Sequence, residues 1–404
     1  MSSAASAEIP RDVPANRVVD FDFYNIPGAA EDFHIPWKKL QDDTAPHSMA
    51  WTTANGGHWI ATRAQAIQTV IADFERFSSY RMTIPPGTDR SSRWDVLPIS
   101  LDPPEHRPYR ALLNSGLSPK VVNARAEQIR EFAISLIEAI RPRRGCDFVA
   151  DYAEEFPIRM VFMIMDLPFE EKPRMMALVN QITMPDGSMT IAQIVDGFSD
   201  FLRPFIQERK GGTGTDLISH ICNGRIGDRA ITEQESVQMC VQTFAAGLES
   251  VRNALSFIMV RLAQDPETRR ALTANPAAVP GAINEMLRRY SAMIVSREVV
   301  ADIEFDGVTL RKGDLIACPV QLVGLDEREN ACPMGFDLNR GKMVSIPFGT
   351  GPHFCAGRWL ADLELKVTVQ EWLARIPEFE VEPGATITYS PGILGAVDSL
   401  PLRW

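Results

Sequence analysis

The decapeptide Phe348-Gly-Thr-Gly-Pro-His-Phe-Cys355-Ala-Gly357 sets one cysteine among three glycines, with an aromatic residue seven positions upstream. Glycines let the backbone turn sharply and approach a flat ligand where a Cβ would intrude. A thiolate presented from such a loop can ligate haem iron and donate electron density that favours O–O cleavage. A bare cysteine in a turn would more often be a small buried hydrophobe. The density of special residue types in this one window is what points to chemistry.

Two other groupings carry chemical potential. Ala245-Ala-Gly247-Leu-Glu249-Ser250 puts a carboxyl and a hydroxyl side by side after three small residues. Small residues leave room beside a flat cofactor, and a glycine within a helix costs about 1 kcal/mol unless something offsets it. Taken alone, the segment is also consistent with a close helix packing contact. Glu285-Met-Leu-Arg288 places an acid and a guanidinium at i and i+3, where they meet on one helix face. By itself that pair reads as an exposed ion pair of little energetic value.

The elements that must position these groups can be read coarsely. Residues 232–265 form the longest helical pattern, without proline, about 50 Å if fully helical. Helical spacing also covers 64–76, 119–141 (with Ser118-Pro119 as cap and first turn), 278–290 and 357–375. A further helical stretch over 150–182 is expected to be divided at Pro157, Pro168 and Pro173, followed by a loop at 184–188 and helix to about residue 210. Residues 57–62 suit a short strand, and 297–320 turn to β-type, with Asp306-Gly307 and Lys312-Gly-Asp314 as hairpin turns. The tail 378–404 is turn-rich and β-like. The fold class expected is mainly α with a smaller β-rich region, as a single domain over 21–404 behind an N-terminal arm at 1–20.

Composition bounds the answer without choosing it. The 404 residues are 45% hydrophobic and 23% charged, an ordinary globular balance that supports a large core. A net charge of −11 argues against general nucleic-acid binding, yet leaves room for a local basic face. The six cysteines show no short paired spacing, so neither a zinc site nor a disulfide framework is indicated. No run reaches about eighteen uninterrupted apolar residues, and the first residues lack a signal-like segment. The expectation is a soluble cytoplasmic protein with no membrane partner.

The Cys355 window resembles the haem-binding loop of the cytochrome P-450 family, Phe-Gly-x-Gly-x-x-x-Cys-x-Gly, at every fixed position. That resemblance implies the triangular haem-thiolate fold, haem b as cofactor and Cys355 as ligand to its iron, with Phe348 and Gly349 beside it. It further implies that His106, Arg110, Arg297 and His353 hold the haem propionates, and that Glu285, Arg288 and Arg340 form a buried brace. The Glu249-Ser250 pair is similar to the family's acid–alcohol pair, which delivers protons during oxygen activation. Serine keeps the hydroxyl but lacks the β-methyl that stiffens threonine.

Longer stretches resemble the soluble, bacterial, camphor-hydroxylating subfamily from about residue 14 to 404. Among them are Gly56-Gly-His-Trp-Ile-Ala-Thr-Arg63 and Gly324-Leu-Asp-Glu-Arg-Glu-Asn-Ala-Cys-Pro333. The departures fall in the pocket. Trp94 stands for a tyrosine, Thr83 for a phenylalanine, Met293 and Leu394 for valines, Gln242 and Ala245 for leucine and valine, and Val295 for an aspartate. Tyr80 replaces a glutamate beside the subfamily's cation site. The function implied is a monooxygenase hydroxylating a small hydrophobic cyclic substrate, a terpenoid or norisoprenoid-like ketone rather than camphor. It would use dioxygen and electrons from a [2Fe–2S] ferredoxin served by a separate NAD(P)H-dependent reductase. Arg110 and Lys342 would face that partner. Two other readings stay open on the residues alone: a partner-independent peroxygenase or isomerase, and a non-catalytic binder of haem or hydrophobic ligands.

Overall fold

The computed structural model describes residues 7–29, 32–81, 83–84, 96–183 and 188–404. The helix Glu233–Gln264 runs 32 residues, about 48 Å at 1.5 Å per residue. Its start is set by Thr232, whose hydroxyl accepts from the Glu235 amide at 3.2 Å while the Glu235 carboxylate accepts from the Thr232 amide at 2.8 Å. This reciprocal arrangement satisfies two otherwise orphaned donors. Asp265 ends the helix and caps the next one, Pro266–Ala274, by accepting from the Thr268 amide.

Among the described residues, Glu155–Met165, Ile191–Arg209, Leu217–Cys222, Val279–Tyr290 and Arg358–Arg375 pack on this rod. The buried hydrophobic side chains of the described residues fall into two clusters that meet along it. Val237, Phe244 and Leu248 belong to one cluster, whereas Val251, Leu255 and Met259 belong to the other. Glu249 and Ser250 therefore sit at the seam between two cores. The Cys355 loop borders the same seam, with Phe348 against one cluster and Ala356 against the other.

The main sheet has six strands in the order Val18–Val19, Met49–Thr52, His58–Ala61, Leu315–Pro319, Ile294–Val299, Phe77–Ser78. The end of the N-terminal arm is thus stitched in, and Arg17 reinforces it with a 2.7 Å ion pair to Asp306. Asp306 and Gly307 have φ of 54° and 72° and join the antiparallel strands Ile303–Phe305 and Val308–Leu310 as a two-residue hairpin. Lys312-Gly-Asp314 is not a hairpin turn. The Gly313 amide donates to the Val299 carbonyl at 2.9 Å, and the following strand enters the main sheet instead of pairing with Val308–Leu310.

Other local expectations also change. The stretch 119–141 is two helices, Pro119–Asn123 and Ala126–Ile140, and Ser118 caps without a side-chain bond. Pro157 does not divide its segment, because it occupies the first turn of Glu155–Met165, where no helical amide is lost. Pro173 likewise lies in the first turn of Lys172–Thr183, so the break falls around Asp166 and Pro168. The loop expected at 184–188 lies almost wholly outside the described residues. Among the described residues no helix is long and apolar enough to cross a membrane.

Candidate haem site

The Cys355 loop is closed by its own backbone: the Cys355 amide donates to the Phe348 carbonyl at 2.9 Å and the Phe354 amide to Gly351 at 3.1 Å. Gly351, at φ +70°, lies so near the helix Ala64–Ala72 that a Cβ there would stand 2.7 Å from Ala72 Cα. Only glycine permits that approach. Burial pushes the Cys355 thiol up, while amide bonds from Gly357 and Arg358 and the charge of Arg110 work in the opposite direction. Arg110 ties the loop to the helix His106–Gly116 by donating to the Phe354 carbonyl, and its Nε bonds Asn114 at 2.7 Å.

Beside the loop, four nitrogen-bearing side chains converge, with the Asp102 carboxylate near enough to act on His106 and Arg297. The His106 and His353 rings are 4.3 Å apart, and the Nε2 of each is buried with no hydrogen-bond partner among the described residues. Burial, then the charge of Arg110, brings His106 down to about 4. Burial followed by Arg297, His106 and Arg110 brings His353 to about 3. Arg297 is 4% exposed and, among the described residues, donates to the Ser296 and Ile71 carbonyls. Orphaned donors in a shared positive field are what two carboxylates would satisfy. Together with the free thiol of Cys355, the residues fit a haem: a thiolate for the iron and a cationic group for the propionates.

The long helix supplies the other wall. Ala245, Ala246 and Ser250 are exposed and Gln242 is half-buried. Gly247 does not provide the room expected of it, since a Cβ there would sit 3.0 Å from Val161 Cγ2 of the neighbouring helix. The glycine serves helix packing, and the two alanines leave the open surface. Ser250 Oγ donates to the Ala246 carbonyl at 2.8 Å. Burial pushes the Glu249 carboxyl up, Arg252 opposes it, and Glu154 and Asp398 add to the rise. Arg252 was missed in the sequence although its i, i+3 spacing was visible. It reaches Glu249 at 3.4 Å and Glu154 at 3.2 Å from a 14% exposed position.

The Glu285–Arg288 pair is not an exposed ion pair. Both residues are almost fully buried, with Arg288 Nε 2.7 Å and Arg340 Nε 2.9 Å from the carboxylate. Arg288 also donates to the carbonyls of Gly324, Pro333 and Gly335 at 2.6–2.8 Å. The network clamps the chain that leads into the Cys355 loop. Burial alone would raise the Glu285 carboxyl, but the Arg288 and Arg340 bonds outweigh it and hold it low.

Of the pocket positions, Met293 and Leu394 face each other in an antiparallel bridge, with Met293 38% exposed. Val295 is half-buried opposite Cys318, and Thr83 is exposed. Trp94 lies outside the described residues. Lys342 is exposed.

Comparison with known proteins agrees with this geometry. The Cytochrome P450 family profile matches residues 158–388. The chain is 32% identical to "Probable cytochrome P450 127A1" of Sinorhizobium fredii, across 98% of this chain and 97% of that protein. It is 28% identical to a "Steroid C26-monooxygenase" of Mycolicibacterium smegmatis, across 89% and 93% of the two chains. The crystal structure of CYP101J2 superposes with a TM-score of 0.92 at 40% identity, covering 98% of this chain and 99% of that one. That of CYP101C1 gives 0.90 at 38% identity over 98% and 100%. The match runs along nearly the whole chain, which therefore belongs to the cytochrome P450 family and is a haem b monooxygenase.

Proposed function

We propose that this monooxygenase hydroxylates a small hydrophobic cyclic substrate, a terpenoid or norisoprenoid-like ketone, with electrons from a [2Fe–2S] ferredoxin and its separate reductase. The observation that supports the reading is that Glu249-Ser250 and the Cys355 loop both border the two hydrophobic clusters; Ala245, Gln242, Met293 and Leu394 are the proposed wall of the pocket. The haem, when bound, supplies the oxygen-activating chemistry. Cys355 is its ligand, and Arg110, Arg297, His106 and His353 hold its carboxylates. Trp94, Thr83 and Val295 complete the proposed pocket. Arg110 and the exposed Lys342 give an acidic ferredoxin a local positive field despite the overall negative charge.

The protein's share of the chemistry is proton handling. Ser250 offers a hydroxyl that can leave the Ala246 carbonyl and take up a bond in the pocket. Glu249, pushed up by burial, holds a proton nearer to working pH than an exposed glutamate would. Arg252 restrains that rise and keeps the carboxyl from wandering. Ser250→Ala is expected to leave haem loading and ligand binding intact while more reducing equivalents end as peroxide or water. Product formed per NAD(P)H consumed measures this, and an unchanged ratio removes Ser250 from the relay. Glu249→Gln should slow turnover by about 100-fold or more, the range for losing a general acid, and flatten its pH dependence near the raised Glu249 value. A ferric spin-shift screen of cyclic ketones, followed by ferredoxin-dependent oxygen uptake, tests the substrate class. Failure of every cyclic ketone to shift the spin state would overturn it.

A further inference from the structure

We infer that Phe33 sets the width of the substrate pocket from behind, acting through Gly395 on Leu394. The inference rests on the reading that Met293 and Leu394 line the pocket. These two residues are held side by side by a pair of backbone bonds, Ile294 amide to Ile393 carbonyl and Gly395 amide to Ala292 carbonyl, each 2.7 Å. Consecutive residues of an extended chain point to opposite faces. Met293 is 38% exposed and Leu394 half-buried, so they look into open space, whereas Ala292 and Ile294 are buried and look the other way, as does the buried Gly395.

What lies behind Gly395 is the end of the Phe33 ring. A Cβ at position 395 would meet Phe33 Cζ at 2.1 Å and the two Cε atoms at 2.6 and 2.9 Å. Phe33 occupies the volume that a side chain at 395 would need. The ring is 3% exposed. His34 stands 5.3 Å, Phe257 5.6 Å and Tyr389 6.5 Å from it, centroid to centroid. His34 is itself anchored by a 2.8 Å bond between its Nε2 and the Ser291 carbonyl, two residues before Met293.

Packed interiors respond to added bulk by shifting backbone or forcing side chains off their rotamers. With Phe33 walled in by three aromatic rings, bulk at 395 moves the 393–395 segment forward, carrying Leu394 into the pocket. Loss of bulk at Phe33 lets the same segment recede. Phe33 is therefore a positioning residue, and Gly395 is glycine because the ring needs its place. The φ of Gly395 is not in the left-handed region, so backbone freedom does not account for it.

The test uses haem-loaded protein and two nitrogen ligands, imidazole and 4-phenylimidazole, titrated by the Soret shift. Both bind iron through nitrogen, but only the second fills the pocket. Gly395→Ala is expected to weaken 4-phenylimidazole by about 10-fold or more, while imidazole changes by less than about 3-fold, the scale at which a pocket senses one extra carbon. Phe33→Leu combined with Gly395→Ala should restore the ratio to within about 3-fold of wild type. Phe33→Leu alone should shift it in favour of 4-phenylimidazole, and this arm stands even where Gly395→Ala loads haem poorly. An unchanged ratio in Phe33→Leu, or no rescue in the double variant, overturns the inference. Leu394→Ala separates the layers. If it leaves the ratio unchanged, the pocket reading itself falls; if it moves the ratio while Phe33→Leu does not, only the role of Phe33 falls.

Discussion

Cys355→His is expected to abolish the red-shifted Soret band of the carbonyl complex, the largest change any single substitution in this chain should cause. The shift requires an anionic sulfur on iron, and a neutral imidazole cannot supply it. The other thiols are poor substitutes. Burial pushes Cys146 and Cys318 up to about 12 and raises Cys240 and Cys222, while Cys332 is exposed in another loop. Serine at each of those five positions should leave the band in place. A reduced carbonyl spectrum of each variant decides the matter, and survival of the shifted band in Cys355→His would remove Cys355 as ligand.

Glu285→Gln is expected to produce the largest loss of stability. The carboxylate balances the guanidiniums of buried Arg288 and half-buried Arg340 and accepts from the Asp337 amide at 3.1 Å. Breaking a buried charge network by removing one partner costs about 3–5 kcal/mol, a large share of the roughly 5–15 kcal/mol that holds a folded domain. The urea midpoint of the haem-loaded protein should fall steeply, with Glu285→Asp between wild type and Gln. The sign with pH follows from the held-down carboxyl. Its contribution is fully present above the unfolded value of about 4.3 and is lost as pH falls through the lower folded value. The gap between wild type and Glu285→Gln should therefore be wide near neutrality and narrow in acid. A gap that stays constant down to strongly acid pH would show that Glu285 acts by shape and not by charge.

The site was legible where the chemistry is local. The Cys355 loop needs glycines at fixed offsets, and Gly349 and Gly351 do take positive φ. The helical pattern and the absence of proline mark the long helix to within a residue at each end. Asp306-Gly307 dictates its own hairpin. Each of these depends on neighbours within a few positions, so residue types and spacing are enough.

Other features waited for the fold. The two hydrophobic clusters meet at Glu249-Ser250, and nothing in the helix's own pattern marks where one core ends and the next begins. Gly247 looked like room for a cofactor and proved to be room for Val161. Glu285–Arg288 has the spacing of a surface pair, and only its enclosure by residues 324–340 makes it a brace. Lys312-Gly-Asp314 has hairpin residues, yet the strand after it finds better partners in the main sheet. Phe33 and Gly395 lie 362 positions apart. Turns, caps and glycine cradles were readable from residue types alone because they are short-range, and the cofactor was implied by the resemblance of the Cys355 window to the cytochrome P-450 loop. Burial, the pairing of charges across the chain and the depth of the pocket were decided by tertiary structure, because each depends on what packs against a residue and not on what precedes it.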